Sequence, residues 1–316
     1  MRRFEEGLPA IVITMLMLAG VTKGAEVELT QSDQLAGIVD RNVRQTVAAF
    51  SQTRLKAEEI AVTLVDVKNG DALKCTSHRG GERIYPASVI KLFYLEAAHR
   101  WMEEGKIQDT PEVRRALRDM IVESYNEATH YIVDLLTGTT SGPELPANEM
   151  REWEFKRNAI NRYFQSRGFT NINANQKPWC EGPYGRERAF VGEKLTNRNA
   201  LTTDATARLL TEIALGKAVS KKSSAEMLEL LARDPFGPAK DPDDQSHGFT
   251  GPAVPQGGKL WSKAGWTSET RHDAAYLELP GGAKFVLVIF TVNHANEREI
   301  IPTLTMGIIS DMQKLP

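Results

Sequence analysis

The chain has 316 residues, about twice the roughly 150 that serve as a prior for one domain, so one large domain or two small ones fit. Its 41% hydrophobic and 25% charged residues are those of an ordinary globular protein and argue against wholesale disorder, collagen and a multi-span membrane protein. Lys and Arg number 39 against 41 Asp and Glu, a formal charge of -2 that offers nucleic acid no basic surface, and two cysteines are too few for a disulfide scaffold or a tetrathiolate zinc site.

Leu8 to Val21 is almost purely apolar, short for a membrane span, and lies between Arg2-Arg3 and the small residues Gly20, Gly24 and Ala25. It is read as a secretory signal peptide over residues 1–25, which leaves 26–316 as an exported domain, periplasmic or secreted; an uncleaved anchor is the alternative. Leu35, Ile38, Val39, Val43, Val47 and Phe50 then recur at helical spacing. Ile60 to Val67 reads as a strand, followed by Asn69-Gly70, a pair suited to a type I′ turn, and a second strand over Leu73 to Thr76.

From Ala87 to Asn199 the pattern is mostly helical, with stops at Gly105, Gly138 and Gly168 and a helix start at Thr110-Pro111. Two short helices follow, Thr203 to Leu215 and Ser223 to Ala232, the first capped by Thr202 or Thr203. Pro235 to Gly258 is rich in Pro and Gly and reads as a loop or arm. Lys259 to Trp266, Ala274 to Leu279 and Lys284 to Val292 read as strands, and Ile300 to Met312 as a closing helix.

Two early strands and three late ones cannot bury their faces separately. The expected fold is therefore α+β, with one five-stranded antiparallel sheet built from both chain ends, terminal helices on one face, and an all-helical subdomain inserted at about 87–233. The cleft between subdomain and sheet is the natural place for a site.

Three short motifs carry chemistry. Ser88 and Lys91 lie one helical turn apart at a helix start, so the hydroxyl and amine share one face, and a lysine with a depressed pKa can accept the serine proton. The positive end of the helix dipole favours negative charge near Ser88. Ser124-Tyr125-Asn126 sits between two helices, and Lys263-Ala264-Gly265 lies on the first late strand. Singly, these are a solvated helix face, a helix cap and an edge-strand charge.

Together and in this order, the three motifs resemble those of class A β-lactamases and penicillin-binding proteins, over about Leu35 to Met312. The resemblance implies a metal-independent serine hydrolase without cofactor, working through an acyl-enzyme, with β-lactam hydrolysis as the leading reading. The same resemblance allows a D,D-peptidase or esterase of the superfamily, and a non-catalytic penicillin- or cell-wall-binding protein is the third reading. It implies Ser88 as nucleophile, Lys91 as its proton acceptor and Ser124 as proton donor to the leaving nitrogen. Asn126 would hold the substrate amide, Lys263 the substrate carboxylate, and the backbone N–H groups of Ser88 and Trp266 the oxyanion. Gly265 would let the strand approach the ligand closely. Arg271 would reach the same carboxylate or pair with Asp273.

Ala264 stands where the family usually carries Thr or Ser, and Thr267 and Ser268 are the hydroxyls that would replace it in binding the substrate carboxylate. The interval from Ser88 to Ser124 is shorter than usual. The family's deacylating Glu is followed four residues later by Asn, yet in the loop 168–199 only Glu193 has that Asn, too close to the Thr202-Thr203 cap. Glu187 and Glu181 both remain as the base. Cys75 and Cys180 form a disulfide or stay as two thiols. The expected partner is a small-molecule substrate for a monomer, with no nucleic acid and, after signal cleavage, no membrane.

Overall fold

A computed structural model describes residues 27–70, 72–179 and 182–315. The signal-peptide segment, Cys180 and Glu181 thus lie outside the described residues. The elements run β1 (Leu29–Gln31), α1 (Asp33–Ala49), β2 (Ile60–Asp66), β3 (Leu73–His78), α2 (Lys91–Glu103), α3 (Pro111–Ile121), α4 (Asn126–Thr137), α5 (Ala147–Arg157), α6 (Ala159–Ser166), α7 (Gly185–Val191), α8 (Thr203–Ala214), α9 (Lys221–Leu231), β4 (Ala232–Arg233), β5 (Lys259–Trp266), β6 (Thr270–Glu278), β7 (Lys284–Val292) and α10 (Ile300–Met312).

The sheet has seven strands in the order β1-β3-β2-β7-β6-β5-β4, which corrects the expected five. The five expected strands form its centre, all antiparallel, with β2 against β7 joining the two chain ends. The two additions are edge strands of three and two residues, β1 parallel to β3 and β4 antiparallel to β5. Segments this short show no alternation of their own, and docking beside a formed strand makes them strands. The β2–β3 connection also departs from expectation. It runs over 67–72 with Ala72 N–H bonding Asn69 O, and Gly70 is outside the left-handed region that a type I′ turn requires.

Alternation along the strands serves two cores. Ile60, Val62 and Leu64 of β2 and Phe285, Leu287 and Ile289 of β7 face α1 and α10. Ala61, Val65, Val286, Val288 and Phe290 face the helical block, where α2 and α8 contribute Leu92, Phe93, Leu209 and Leu210. Helix α2 is buried nearly all round, its polar residues Lys91, Glu96, His99 and Arg100 included, and so carries the site's lysine inside the molecule.

The terminal helices interlock through one buried amide. Asn42 Nδ2 on α1 donates to Ile38 O and Asp311 Oδ2, each at 2.9 Å, and Arg41 pairs with the same carboxylate at 2.7 Å. Burial opposes ionisation of Asp311, but the hydrogen bonds from Arg41, Asn42 and Lys314 prevail and hold its carboxyl at about 2. Gly307 on α10 makes room for the amide, since a Cβ there would sit 2.0 Å from Asn42 Oδ1. Gly307→Ala is therefore expected to cost about 1–3 kcal/mol in urea unfolding, the usual cost of overpacking, and Asn42→Ala is expected to relieve part of it in the double variant.

Candidate active site

The Ser88 turn is built before the helix it opens. Ala87–Ile90 is a 3-10 turn, and Ala87 takes φ of 45°, a left-handed conformation that a side chain adopts only under constraint. The constraint comes from the sheet. His272 on β6 is fully buried, with Nδ1 accepting from Thr291 N–H at 3.1 Å, so Nε2 carries the proton and donates to Tyr85 O at 3.0 Å. Burial holds its pKa at about 4, which keeps this tautomer neutral.

Strand β5 presses on the same turn. A Cβ at Gly265 would lie 2.7 Å from Ser88 N, 2.8 Å from Pro86 O and 2.8 Å from Val89 N, all backbone atoms that cannot swing away. Only glycine permits this approach. Thr267 N–H bonds Thr270 O, so the preceding pair, Trp266 with Arg271, is a non-hydrogen-bonded pair and Trp266 N–H points away from β6. Ala264 N–H points the same way and reaches Gln245 Oε1 at 3.2 Å. Ser88 N thus lies against β5 at Gly265, the residue before Trp266.

Ser124 joins the two lysines. It has φ of 59° in the turn between α3 and α4. Lys91 Nζ donates to Ser124 O at 2.7 Å and Asn126 Oδ1 at 2.8 Å, with Ser124 Oγ at 3.3 Å. Lys263 Nζ donates to Gln245 Oε1 at 2.6 Å and Ala264 O at 2.8 Å, with Ser124 Oγ at 3.0 Å. Two contacts of Lys263 are acceptor-only carbonyl oxygens. The third is a hydroxyl, which accepts from an ammonium or donates to an amine. Burial first, then the Lys91 and Arg233 charges, push Lys263 well below the ordinary lysine range, while Asp273 pulls the other way. Burial also lowers Arg233 to about 10 and raises the Asp273 carboxyl. A hydroxyl in contact with two buried amines can pass a proton without a charge crossing bulk water.

Gln245 escaped the sequence reading because it lies within the Pro- and Gly-rich arm, where no periodicity marks it. Its Oε1 serves Lys263 and Ala264, and its Nε2 donates to Val122 O at 2.9 Å and Ile121 O at 3.2 Å. One buried amide therefore ties the end of α3, just ahead of Ser124, to β5. His272 was missed for a similar reason, since a histidine within an apolar strand reads as core.

Three expected roles are corrected. Arg271, 2% exposed, pairs with Asp243 at 2.8 Å, donates to Gly248 O at 2.6 Å and lies over the Phe249 ring, so it fixes the arm to the sheet instead of facing a substrate or Asp273. The Thr267 hydroxyl closes the β5–β6 turn, accepting from the Glu269 and Thr270 N–H groups, and does not replace a hydroxyl at position 264. Glu187, 2% exposed, is held by Arg157 at 2.7 and 3.0 Å and by Ser141 at 2.9 Å, with Lys177 at 3.7 Å. The structure thus places Glu187 in a buried ion pair with Arg157. The other candidate, Glu181, is outside the described residues, as is Cys180; Cys75 is a buried free thiol.

A cleft of about 520 Å³ opens beside Ser124 and Trp266, walled by Arg233 and by the arm. Trp266 packs against Phe249 at its rim.

Two results are expected from this geometry. In Gln245→Glu a carboxylate faces Lys263 Nζ and raises its depressed pKa, so the limb of the acylation profile governed by Lys263 moves up by roughly one to three pH units. Gln245→Leu lowers the rate without that upward movement. Gly265→Ala forces β5 away from the Ser88 turn and is expected to reduce acylation about 10²-fold or more while circular dichroism stays native.

A model of the beta-lactamase enzyme family matches residues 41–311. No curated protein matches the chain. Among solved structures, a beta-lactamase from Sphaerobacter thermophilus is 20% identical, with a TM-score of 0.60 over 87% of this chain and 98% of that one. PBP-A is 16% identical, with a TM-score of 0.62 over 93% and 100%. A PBP-A variant described as an acyl-enzyme complex with penicillin G is 16% identical, with a TM-score of 0.62 over 92% and 100%. At these identities the structural likeness shows a shared fold.

Proposed function

The chain belongs to the beta-lactamase enzyme family, and from that premise we propose that it is an exported serine hydrolase that opens β-lactams through an acyl-enzyme at Ser88. The observation that carries this reading is the Ser124 hydroxyl held 3.3 and 3.0 Å from the Lys91 and Lys263 amines, with Lys91 three residues after Ser88, which itself follows the left-handed Ala87. A binding module has no use for such a pair of buried amines.

Ser88 Oγ attacks the lactam carbonyl carbon as its proton passes to Lys91, and the oxyanion sits between the N–H groups of Ser88 and Trp266. Asn126 Oδ1 accepts from Lys91, so its amide N–H end faces the substrate's side-chain carbonyl. As the C–N bond breaks, Ser124 gives its proton to the nitrogen and is resupplied by the amines on either side. Lys263 and Arg233 provide positive potential for a substrate carboxylate in the cleft beside Ser124. Water then attacks the ester. With Glu187 enclosed by Arg157, Glu181 is the carboxylate we assign to activate it.

A second reading has one observation in its favour. The enclosure of Glu187 removes one of the loop's two candidate bases, and a cell-wall peptidase or esterase that β-lactams acylate and leave slowly would tolerate that loss.

Penicillin is expected to add its mass to the peptide containing Ser88 and to leave Ser88→Ala unlabelled; labelling that persists in the variant would discard the assignment. A chromogenic cephalosporin followed past one enzyme equivalent separates the two readings. Steady turnover that becomes a single burst in Glu181→Gln supports the β-lactamase reading. A burst in the unaltered enzyme supports the second. Glu187→Gln is expected to cost about 3–5 kcal/mol of stability, because Arg157 is left buried beside a neutral group, without a selective block of deacylation.

A further inference from the structure

The loop 168–199 closes on itself at a neck. Asn173 and Ala200 exchange backbone hydrogen bonds at 2.7 and 2.9 Å, and Leu201 does the same at 2.9 Å with Ile84, which precedes the Ser88 turn. The carboxamide of Asn199 fastens the two limbs of the neck. Its Nδ2 donates to Gln176 O at 2.9 Å, and its Oδ1 accepts from Gln176 N–H at 2.9 Å and from Asn175 N–H at 3.1 Å. Gln176 returns the bond, its Oε1 accepting from Asn199 N–H at 3.1 Å.

Into this neck reaches a side chain from the helix that carries Lys91. Tyr94, about one turn further along α2, is fully buried, and its hydroxyl lies 2.6 Å from Gln176 O and 3.2 Å from Asn199 Oδ1. The hydroxyl has one proton to donate, and the shorter contact takes it. Burial pushes the phenol above its ordinary range, so it stays a neutral donor. The ring belongs to the core on the helical side of the sheet, a place that phenylalanine fills equally well, so what the neck draws from a tyrosine here is the hydroxyl. The next residue of the loop, Lys177, binds Asp134 of α4 at 2.7 Å and Ser141 Oγ at 2.8 Å. Gln176 and Lys177 are thereby set against the two helices that carry Lys91 and Asn126.

Building on the acyl-enzyme reading above, we propose that Tyr94 is a positioning residue, whose hydroxyl holds the neck of the loop in register with the Lys91 helix and so governs release of the acyl group and not its formation. Formation uses Ser88, Lys91, Ser124 and Lys263, which α2, the α3–α4 turn and β5 put in place. Release needs the water-activating carboxylate assigned above to the loop, and a small misplacement of such a group slows its step. Tyr94→Phe keeps the ring and leaves Gln176 O its bond from Asn199 Nδ2, so the variant is expected to fold. Stopped-flow kinetics with a chromogenic cephalosporin and timed mass spectrometry of the Ser88 adduct measure the two steps separately. Tyr94→Phe is expected to acylate within about two-fold of the unaltered rate and to release the acyl group about ten-fold more slowly. A hydroxyl that served stability alone would slow both steps alike or neither, and either result overturns the role. If the unaltered protein is not acylated, the acyl-enzyme reading falls; if it is acylated without measurable release, the β-lactamase reading falls. Hydrogen exchange then decides the contact by itself. Exchange of the Gln176 and Asn199 amides that is about ten-fold faster in Tyr94→Phe, with β7 unchanged, upholds it. Equal exchange in both proteins, or a loss of protection shared with β7, rejects it.

Discussion

The contact on which the rest depends is the approach of β5 to the Ser88 turn at Gly265, where a Cβ would fall within 2.8 Å of three backbone atoms. That strand carries Lys263 inward on one residue, turns the Ala264 and Trp266 N–H groups outward on the next two of like parity, and meets the serine between them. Because the sheet is covered on both faces, the strand cannot shift register without moving its apolar residues Leu260 and Ala264 out of the core shared with α1 and α10. The geometry around the serine is therefore set by packing that lies on the opposite side of the sheet.

Concentrating positive charge inside that packing has a consequence. The Lys91 and Arg233 charges add to burial in lowering the proton affinity of Lys263, and Asp273 is the carboxylate set against that effect. Asp273 is itself fixed by Thr250 N–H at 3.1 Å, from the same arm that supplies Gln245. The unfolded chain keeps a proton on Lys263 at pH values where the folded chain tends to release it, so this site contributes to stability more as pH rises and less as it falls. The arm, which looks like filler in the sequence, holds Lys263 through the neutral amide of Gln245 and fixes Asp273 through Thr250.

The loop opposite is organised differently. Arg157, fully buried, anchors Glu187 and lies over the Trp153 ring at 4.4 Å, while Asn161, Asn173, Asn175, Gln176, Asn197 and Asn199 hydrogen-bond to one another and to backbone. Such amides satisfy a buried irregular backbone without adding charge. A second buried network lies behind α2, where Arg167 links Glu96 at 2.6 Å to Glu212 and burial lifts Glu96 to about 7. Both networks join segments within the helical block and its loop.

Local pattern was enough to place the long elements. Lys259–Trp266, Lys284–Val292 and Ile300–Met312 follow from alternation and helical spacing, because each buries a continuous apolar face whose period survives folding. The order Ser88, Lys91, Ser124, Asn126, Lys263 was likewise legible, since motif spacing is a property of the chain. The edge strands β1 and β4 were not, because two or three residues become a strand only beside a neighbour. Nor were the partners of side chains distant in sequence. That Arg271 pairs with Asp243, that Arg157 encloses Glu187, and that Gln245 joins Lys263 to the end of α3 depend on which loops the fold brings together. Sequence determines which groups exist and on which face of a helix or strand they start. Tertiary packing alone decides which become buried together, and burial sets both their hydrogen-bond partners and their readiness to hold a proton.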